Sequence, residues 1–168
     1  LCEREGISPE RHILTDMYYG VEYDDDYIKR VIQDTGWADR SRLIQNIEGE
    51  IAGIISEGRV IARFSGRDEW GPRALGNRSI LADPRDLRTI RKINFAIKHR
   101  DFWMPFAPAI LDERIDDYLI DGRPSPYMIE AFDTKEAADQ IIAGLHPFDR
   151  TARPQTVSLP GKNALRRP

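Results

Sequence analysis

Three stretches of the chain concentrate residue types suited to holding a phosphate-bearing ligand. The first, Gly66-Arg67-Asp68-Glu69-Trp70-Gly71-Pro72-Arg73-Ala74-Leu75-Gly76-Asn77-Arg78-Ser79-Ile80-Leu81-Ala82, sets three glycines and a proline among three arginines. Glycine lets backbone amides approach a ligand closely, and arginine offers a planar fork matched to phosphate oxygens. Any of Arg67, Arg73 and Arg78 can meet an anion here, and the Ser79 hydroxyl can add a hydrogen bond. The second stretch is Lys98-His99-Arg100. Two residues apart on an extended segment, Lys98 and Arg100 project to one side and can converge on a polyphosphate, with His99 beside them. The third is Asp149-Arg150-Thr151-Ala152-Arg153-Pro154-Gln155-Thr156-Val157. Here Arg153 can reach a buried anion, Thr151 can add a hydroxyl, and Asp149 can orient the arginine or meet a nucleotide-associated cation.

Each stretch has a plainer reading that the residues alone leave open. The first is also a tight structural loop whose arginines pair with Asp68, Glu69 or Asp83. The second is also a favourable placement of cations at a helix C-terminus, and the third is also a surface loop. The first stretch is neither a Walker A loop nor a dinucleotide fingerprint, since the GK[ST] ending and the GxGxxG spacing are missing. His12, His99 and His146 do not make a metal spacing, and Cys2 is the only cysteine, which excludes an internal disulfide. No Ser-His-Asp arrangement stands out. Trp70, Trp103 and Phe106 read as core residues, with adenine stacking as the minority alternative.

The elements that must position these stretches follow from periodicity and punctuation. Asp24 to Thr35 reads as a helix with an acidic first turn and an apolar face of Tyr27, Ile28, Val31 and Ile32. Asn46 caps a second helix that carries Ile47, Ile51, Ile54 and Ile55 and stops at Gly58. Val60 to Phe64 is a short strand feeding the first stretch. Asp83-Pro84 opens a helix with Leu87, Ile90, Ile93 and Ile97 inward, ending near Lys98 because the residues before Pro105 disfavour helix. Phe106 to Leu111 reads as an edge or bulged strand on account of Pro108. Arg114 to Ile120 is a short helix, Tyr127 to Phe132 a strand, and Lys135 to Ala143 a helix. This alternation predicts an α/β or α+β domain.

At 168 residues the chain has room for one domain with a real core. Its net charge of −3 is unevenly spread: from Arg59 to Arg100 there are eleven Lys/Arg against four Asp/Glu, inside an otherwise acidic chain. Such a basic segment suits a bound anion, and pairing with the acidic remainder is the alternative. No run approaches the ~18 apolar residues of a membrane helix. The start lacks both an initiator Met and a signal pattern, so the chain reads as a cytoplasmic fragment. The predicted organisation is a connecting segment over 1–20, the domain over 21–157, and a poorly ordered tail over 158–168.

The strings GRDEWGPRALGNRSILADPRD, INFAIKHRDFWMPFAPAIL, SPYMIEAF and DRTARPQTV, in that order, closely resemble the C-terminal domain of NodU/CmcH-type O-carbamoyltransferases. The likeness runs from about Val60 to Val157 and more weakly from Tyr18. It implies a YrdC-like twisted open sheet with flanking helices. Such a domain joins ATP, with its Mg²⁺, and carbamoyl phosphate into carbamoyl adenylate, releasing pyrophosphate. An N-terminal actin/hsp70-like domain of the parent chain would then transfer the carbamoyl group to a hydroxyl and hold a metal. Lys98 and Arg100 match the family's Lys-x-Arg nucleotide pair, and Arg73 and Arg153 resemble its other anion-binding arginines.

Two departures accompany the resemblance. The family continues after TARxQTV into an Asn-Thr-Ser-Phe-Asn stretch carrying a Ser-x-Asn pair, whereas Ser158 to Pro168 here lack it, so the domain is expected to be C-terminally truncated. Met104 stands where many relatives carry Arg. Three rival readings accompany the first: a non-catalytic RNA- or nucleotide-binding module, a threonylcarbamoyl-adenylate synthase, and a folded or dimerising remnant. Net acidity disfavours a broad nucleic-acid footprint, the GPRALG segment favours the O-carbamoyltransferase branch, and a homodimer is allowed.

Overall fold

The computed structural model describes residues 5–6, 16–101 and 103–158. Two helices come first. In α1 (Asp25–Asp34) the Asp24 carboxylate accepts the Tyr27 amide at 2.7 Å, and Asp25 and Asp26 lie in the first turn, where the helix dipole favours negative charge. In α2 (Ile47–Ser56) Asn46 accepts the Gly49 amide at 3.1 Å. The left-handed Gly58, at φ 75°, turns the chain out of that helix. Neither helix buries a residue.

Strand β1 (Ile61–Phe64) pairs antiparallel with β2 (Arg78–Leu81), in a register running from Ile61 opposite Leu81 to Phe64 opposite Arg78. The arginine- and glycine-rich stretch is thus the long loop of a hairpin, and its last residues are themselves strand. A short upstream piece lies along this loop: the Gly20 amide bonds the Asp68 carbonyl, the Asp68 amide bonds Val21, and the Trp70 amide bonds Met17. Gly20 has no room for a side chain, because a Cβ there would sit 2.3 Å from that of Asp68.

Helix α3 (Arg88–Ile93) runs into a π-helical turn, Asn94–Lys98, which His99 ends in the left-handed conformation at φ 49°. Strand β3 (Ala109–Leu111) leads through the 3₁₀ turn Asp112–Arg114 into α4 (Ile115–Tyr118). A 3₁₀ segment, Glu136–Gly144, follows, and β4 (Gln155–Val157) pairs parallel with β3, Ala109 opposite Gln155. The core gathers in this half: Ile110, Ile115, Leu119, Phe132, Ala138, Ile141, Leu145 and Ala152 form one buried cluster.

The mixed α+β class expected from the sequence is the one the chain adopts, and among the described residues its strands fall in two two-stranded sheets. Local expectations change at several points; the Phe106 to Leu111 strand shortens to β3, and Trp70 and Trp103, read as core, are exposed. The Asp83 helix is cut back to α3 plus the π turn. Tyr127 to Phe132 is not a strand, because Met128 takes φ 55° and breaks the extended run, leaving Phe132 a single bridge to Ala152. The predicted Lys135 helix is 3₁₀, kinked at Ile141, with Gly144 pressed so closely on Pro108 that a Cβ would stand 2.9 Å away. The predicted tail, apart from Ser158, and most of the predicted connecting segment lie outside the described residues. No helix among the described residues is long and apolar enough to cross a membrane.

Candidate functional site

The hairpin loop is organised around one carboxylate. Glu69 Oε1 accepts the backbone amides of Leu75, Asn77 and Arg78 at 2.8, 2.7 and 3.1 Å, and the Gly76 amide bonds Ser79 Oγ at 2.9 Å. Burial pushes the Glu69 carboxyl upward, but the Arg78 and Leu75 amides, its own amide and that of Asn77 together outweigh it and hold it below its ordinary value. Three of the loop's amides therefore already serve an internal anion.

The three arginines of that loop part company. Arg78 is taken up by the fold: its guanidinium donates to the Ser65, Asn77 and Gly66 carbonyls, pairs with Asp68 at 2.6 Å and lies 3.6 Å over the Phe64 ring. Arg67 pairs with Glu22 at 3.6 Å. Arg73 is half-buried, and no described residue forms a hydrogen bond or ion pair with its side chain. Ser79, likewise expected to meet a ligand, accepts the Gly76 amide and keeps its O–H to donate.

The Lys98-His99-Arg100 turn is built on Asn94, which is fully buried. Its Nδ2 donates to the Asp101 and Met104 carbonyls at 3.0 and 2.9 Å, while its Oδ1 accepts Arg100 Nε at 2.6 Å. Arg100 also stacks 4.4 Å over the Phe106 ring, and burial lowers its pKa from the usual arginine value. The helix does end at Lys98, as the sequence suggests. It ends through the left-handed His99 rather than an extended segment, however, so strand alternation does not describe how Lys98 and Arg100 relate. Lys98 and His99 are exposed.

In the third stretch Asp149 serves its own turn, accepting the Thr151 amide and hydroxyl at 2.9 and 2.8 Å and facing His146 Nδ1 at 3.0 Å. The Thr151 amide and then its hydroxyl are the main causes that hold the Asp149 carboxyl below its ordinary value. Thr151 is thereby committed locally. Arg153 is exposed and pairs with no described residue.

Two of the three stretches are joined directly, through one side-chain amide. Gln155 Nε2 donates to the Leu75 carbonyl at 2.7 Å, joining the segment of Arg153 to the loop of Arg73. The Gln155 amide bonds the Pro108 carbonyl at 2.9 Å, two residues beyond the Phe106 that supports Arg100. Glu69, Asn94 and Gln155 escaped the sequence reading. A polar Asn94 amid Ile90, Ile93 and Ile97 was the one local signal among them.

No group of three or more His, Cys, Asp or Glu among the described residues is placed to hold a metal ion. A surface depression has Asp133, Glu136, Asp139 and Asp149 on its wall with Lys135 and Arg150, the last paired with Asp139. Four carboxylates against two cations make it a poor seat for a polyphosphate.

The chain is similar to protein MJ1051 of Methanocaldococcus jannaschii, at 36% identity over 88% of this chain and 29% of that protein. It is similar to nodulation protein NolO of Bradyrhizobium diazoefficiens, at 36% over 91% of this chain and 29% of that protein. It is also similar to nodulation protein U of Sinorhizobium fredii, at 40% over 65% of this chain and 19% of that protein. The chain thus spans less than a third of the length of each of these relatives. The family described as carbamoyltransferase C-terminus matches residues 52–166, a span that takes in all three cationic stretches, and the chain belongs to that family.

Proposed function

We propose that this chain is the anion-handling C-terminal part of an O-carbamoyltransferase, and that it forms carbamoyl adenylate from ATP and carbamoyl phosphate. An N-terminal actin/hsp70-like domain of the same polypeptide would then pass the carbamoyl group to a hydroxyl. The observation that carries this reading is the union of the Arg73 loop and the Arg153 segment at the Leu75 carbonyl, with both guanidinium groups left uncommitted by the described residues. The basic segment from Arg59 to Arg100 had two readings, and its arginines divide between them. Arg67, Arg78, Arg85 and Arg88 are paired with carboxylates, whereas Arg73 and Lys98, like Arg59, Arg63, Arg91 and Lys92, pair with no described carboxylate.

In the proposed reaction water first releases phosphate from carbamoyl phosphate, leaving carbamate. A carbamate oxygen then attacks the α-phosphorus of ATP; the new oxygen–phosphorus bond forms as the bond to pyrophosphate breaks. Negative charge grows on phosphoryl oxygens in both steps, and fixed cations stabilise it without a covalent nucleophile. Lys98 and Arg100 are assigned to the ATP phosphates. Arg100 suits that task because Asn94 and Phe106 fix its plane before a ligand arrives. Arg73 and Arg153 are assigned to carbamoyl phosphate and to the carbamoyl end of the adenylate. Mg²⁺ would arrive with ATP, held mainly by nucleotide oxygens.

Replacing Lys98 or Arg153 by Ala in the full-length protein is expected to lower carbamoyl-phosphate-dependent ATP–pyrophosphate exchange by about 100-fold or more. Unchanged exchange in either variant removes that residue from the mechanism.

A further inference from the structure

Gln155 has no place in the charge-stabilising scheme above, yet its side chain makes the one hydrogen bond that links two of the arginine-bearing stretches among the described residues. Its Nε2 donates at 2.7 Å to the carbonyl of Leu75, across 80 residues of sequence. Gln155 stands two residues after Arg153, and Leu75 stands two residues after Arg73. Both ends of the link are anchored. On one side the Gln155 amide bonds the Pro108 carbonyl at 2.9 Å and the residue pairs with Ala109 in the parallel β3–β4 sheet. On the other side the Leu75 side chain is buried, and its amide is held by Glu69 at 2.8 Å. The link therefore joins two segments that are each held at the linked residue.

We propose that Gln155 is a positioning residue that sets the Arg73 guanidinium relative to that of Arg153, so that both can bind one doubly charged phosphate group. This rests on the reading that these arginines receive carbamoyl phosphate. Two cations on separate loops strengthen an anion's binding together only when their separation matches it, and a mismatch of about 1 Å forfeits much of the gain. The Leu75 carbonyl also accepts the Tyr18 hydroxyl at 3.0 Å. That donor comes from a segment without a candidate anion ligand, so it can steady the Arg73 loop but cannot register it against Arg153.

The test is a set of double-mutant cycles read by calorimetric titration of carbamoyl phosphate into the full chain. Gln155→Ala should weaken binding by about 2- to 12-fold, the range for one neutral hydrogen bond. Gln155→Glu, which keeps the side-chain length but presents only acceptors to the Leu75 carbonyl, should do the same and guards against misfolding of the Ala variant, checked by circular dichroism. In an Arg73→Ala or Arg153→Ala background the Gln155 substitutions should add less than about 2-fold, because the pair whose spacing they disturb is already gone. Tyr18→Phe should be non-additive with Arg73→Ala and additive with Arg153→Ala.

Gln155 effects that are absent, or that multiply fully with both arginine substitutions, overturn the proposal while leaving the arginines in place. Tyr18→Phe behaving like Gln155→Ala in both cycles reduces Gln155 to a loop tether and overturns it too. Binding that ignores both Arg73→Ala and Arg153→Ala overturns the underlying reading of the site, and the positioning role falls with it.

Discussion

The hairpin loop and the turn after α3 each place a cation by gathering three polar groups onto one side chain, but they use opposite chemistry. At the turn the gatherer is Asn94, neutral and fully buried, which uses both its donors and its acceptor on Asp101, Met104 and Arg100. At the loop it is Glu69, charged and half-buried, which draws three backbone amides onto a single oxygen. A neutral amide satisfies carbonyls and a guanidinium together where no water reaches, and a buried carboxylate there would leave two carbonyls without donors. A carboxylate suits a ring of amides, which are donors only, at a place where solvent still shares the charge. Rigidity is bought from burial in one case and from charge in the other, and the two should fail under different insults.

The sharpest break comes at the turn. Asn94→Ala strands the Asp101 and Met104 carbonyls and Arg100 Nε, so it is expected to cost about 3 kcal/mol in urea-unfolding stability. It should also release Arg100 from its plane. Asn94→Asp should do little better, since it keeps the acceptor for Arg100 but loses both donors and buries a charge. An Asn94→Asp protein as stable as the wild type would contradict the account of the turn. At the loop, Glu69→Ala is expected to cost less, about 1–3 kcal/mol, because the freed amides can turn to water. Glu69→Gln should retain most of that, as one carbonyl oxygen can still take all three amides. The contrast between the loop and the turn requires this tolerance: amide for carboxylate is mild at residue 69, and carboxylate for amide is severe at residue 94.

What the sequence made legible was local. The Asp24 and Asn46 caps, the stop at Gly58, the β1 strand and the end of the helical run at Lys98 all follow from side chains within a turn of the backbone they serve. Strand β2 was hidden inside a glycine-rich motif because its pairing is decided by β1, not by its own residues. Met128 defeated the Tyr127–Phe132 strand, since no residue type announces a left-handed methionine. The candidate arginines were found by their chemistry, but which of them the fold consumes was not. Arg73 and Arg78 look alike in sequence, and only the closure of the hairpin puts Asp68, Phe64 and three carbonyls around the second. Gln155 was the least legible, because its partner lies 80 residues away.

The mildest expected effect separates the two organisers by pH. The Glu69 carboxyl is held below its ordinary value of 4.5, with burial opposing the shift and the Arg78 and Leu75 amides, its own amide and that of Asn77 overcoming it. A carboxyl depressed in the folded state contributes stability that is fully present above the unfolded pKa and is lost as pH falls through the folded pKa. The loss attributable to Glu69 therefore begins near pH 4.5 and completes below it. Asp83, Asp86 and Asp149 are depressed as well, from an ordinary value of 3.8, so acid goes on to weaken the rest of the protein as pH falls further. Glu69→Gln isolates the loop, because it keeps the accepting oxygen and cannot titrate. The stability advantage of wild type over Glu69→Gln, followed by urea unfolding from pH 7 to pH 3, should be flat down to about pH 5 and then shrink. The same comparison made in an Asn94→Ala background should give a parallel curve, since the neutral turn takes no part in the titration. A wild-type advantage that stays constant to pH 3 would mean that the three amides do not depend on the charge of Glu69, and the distinction between the two organisers would be one of burial alone.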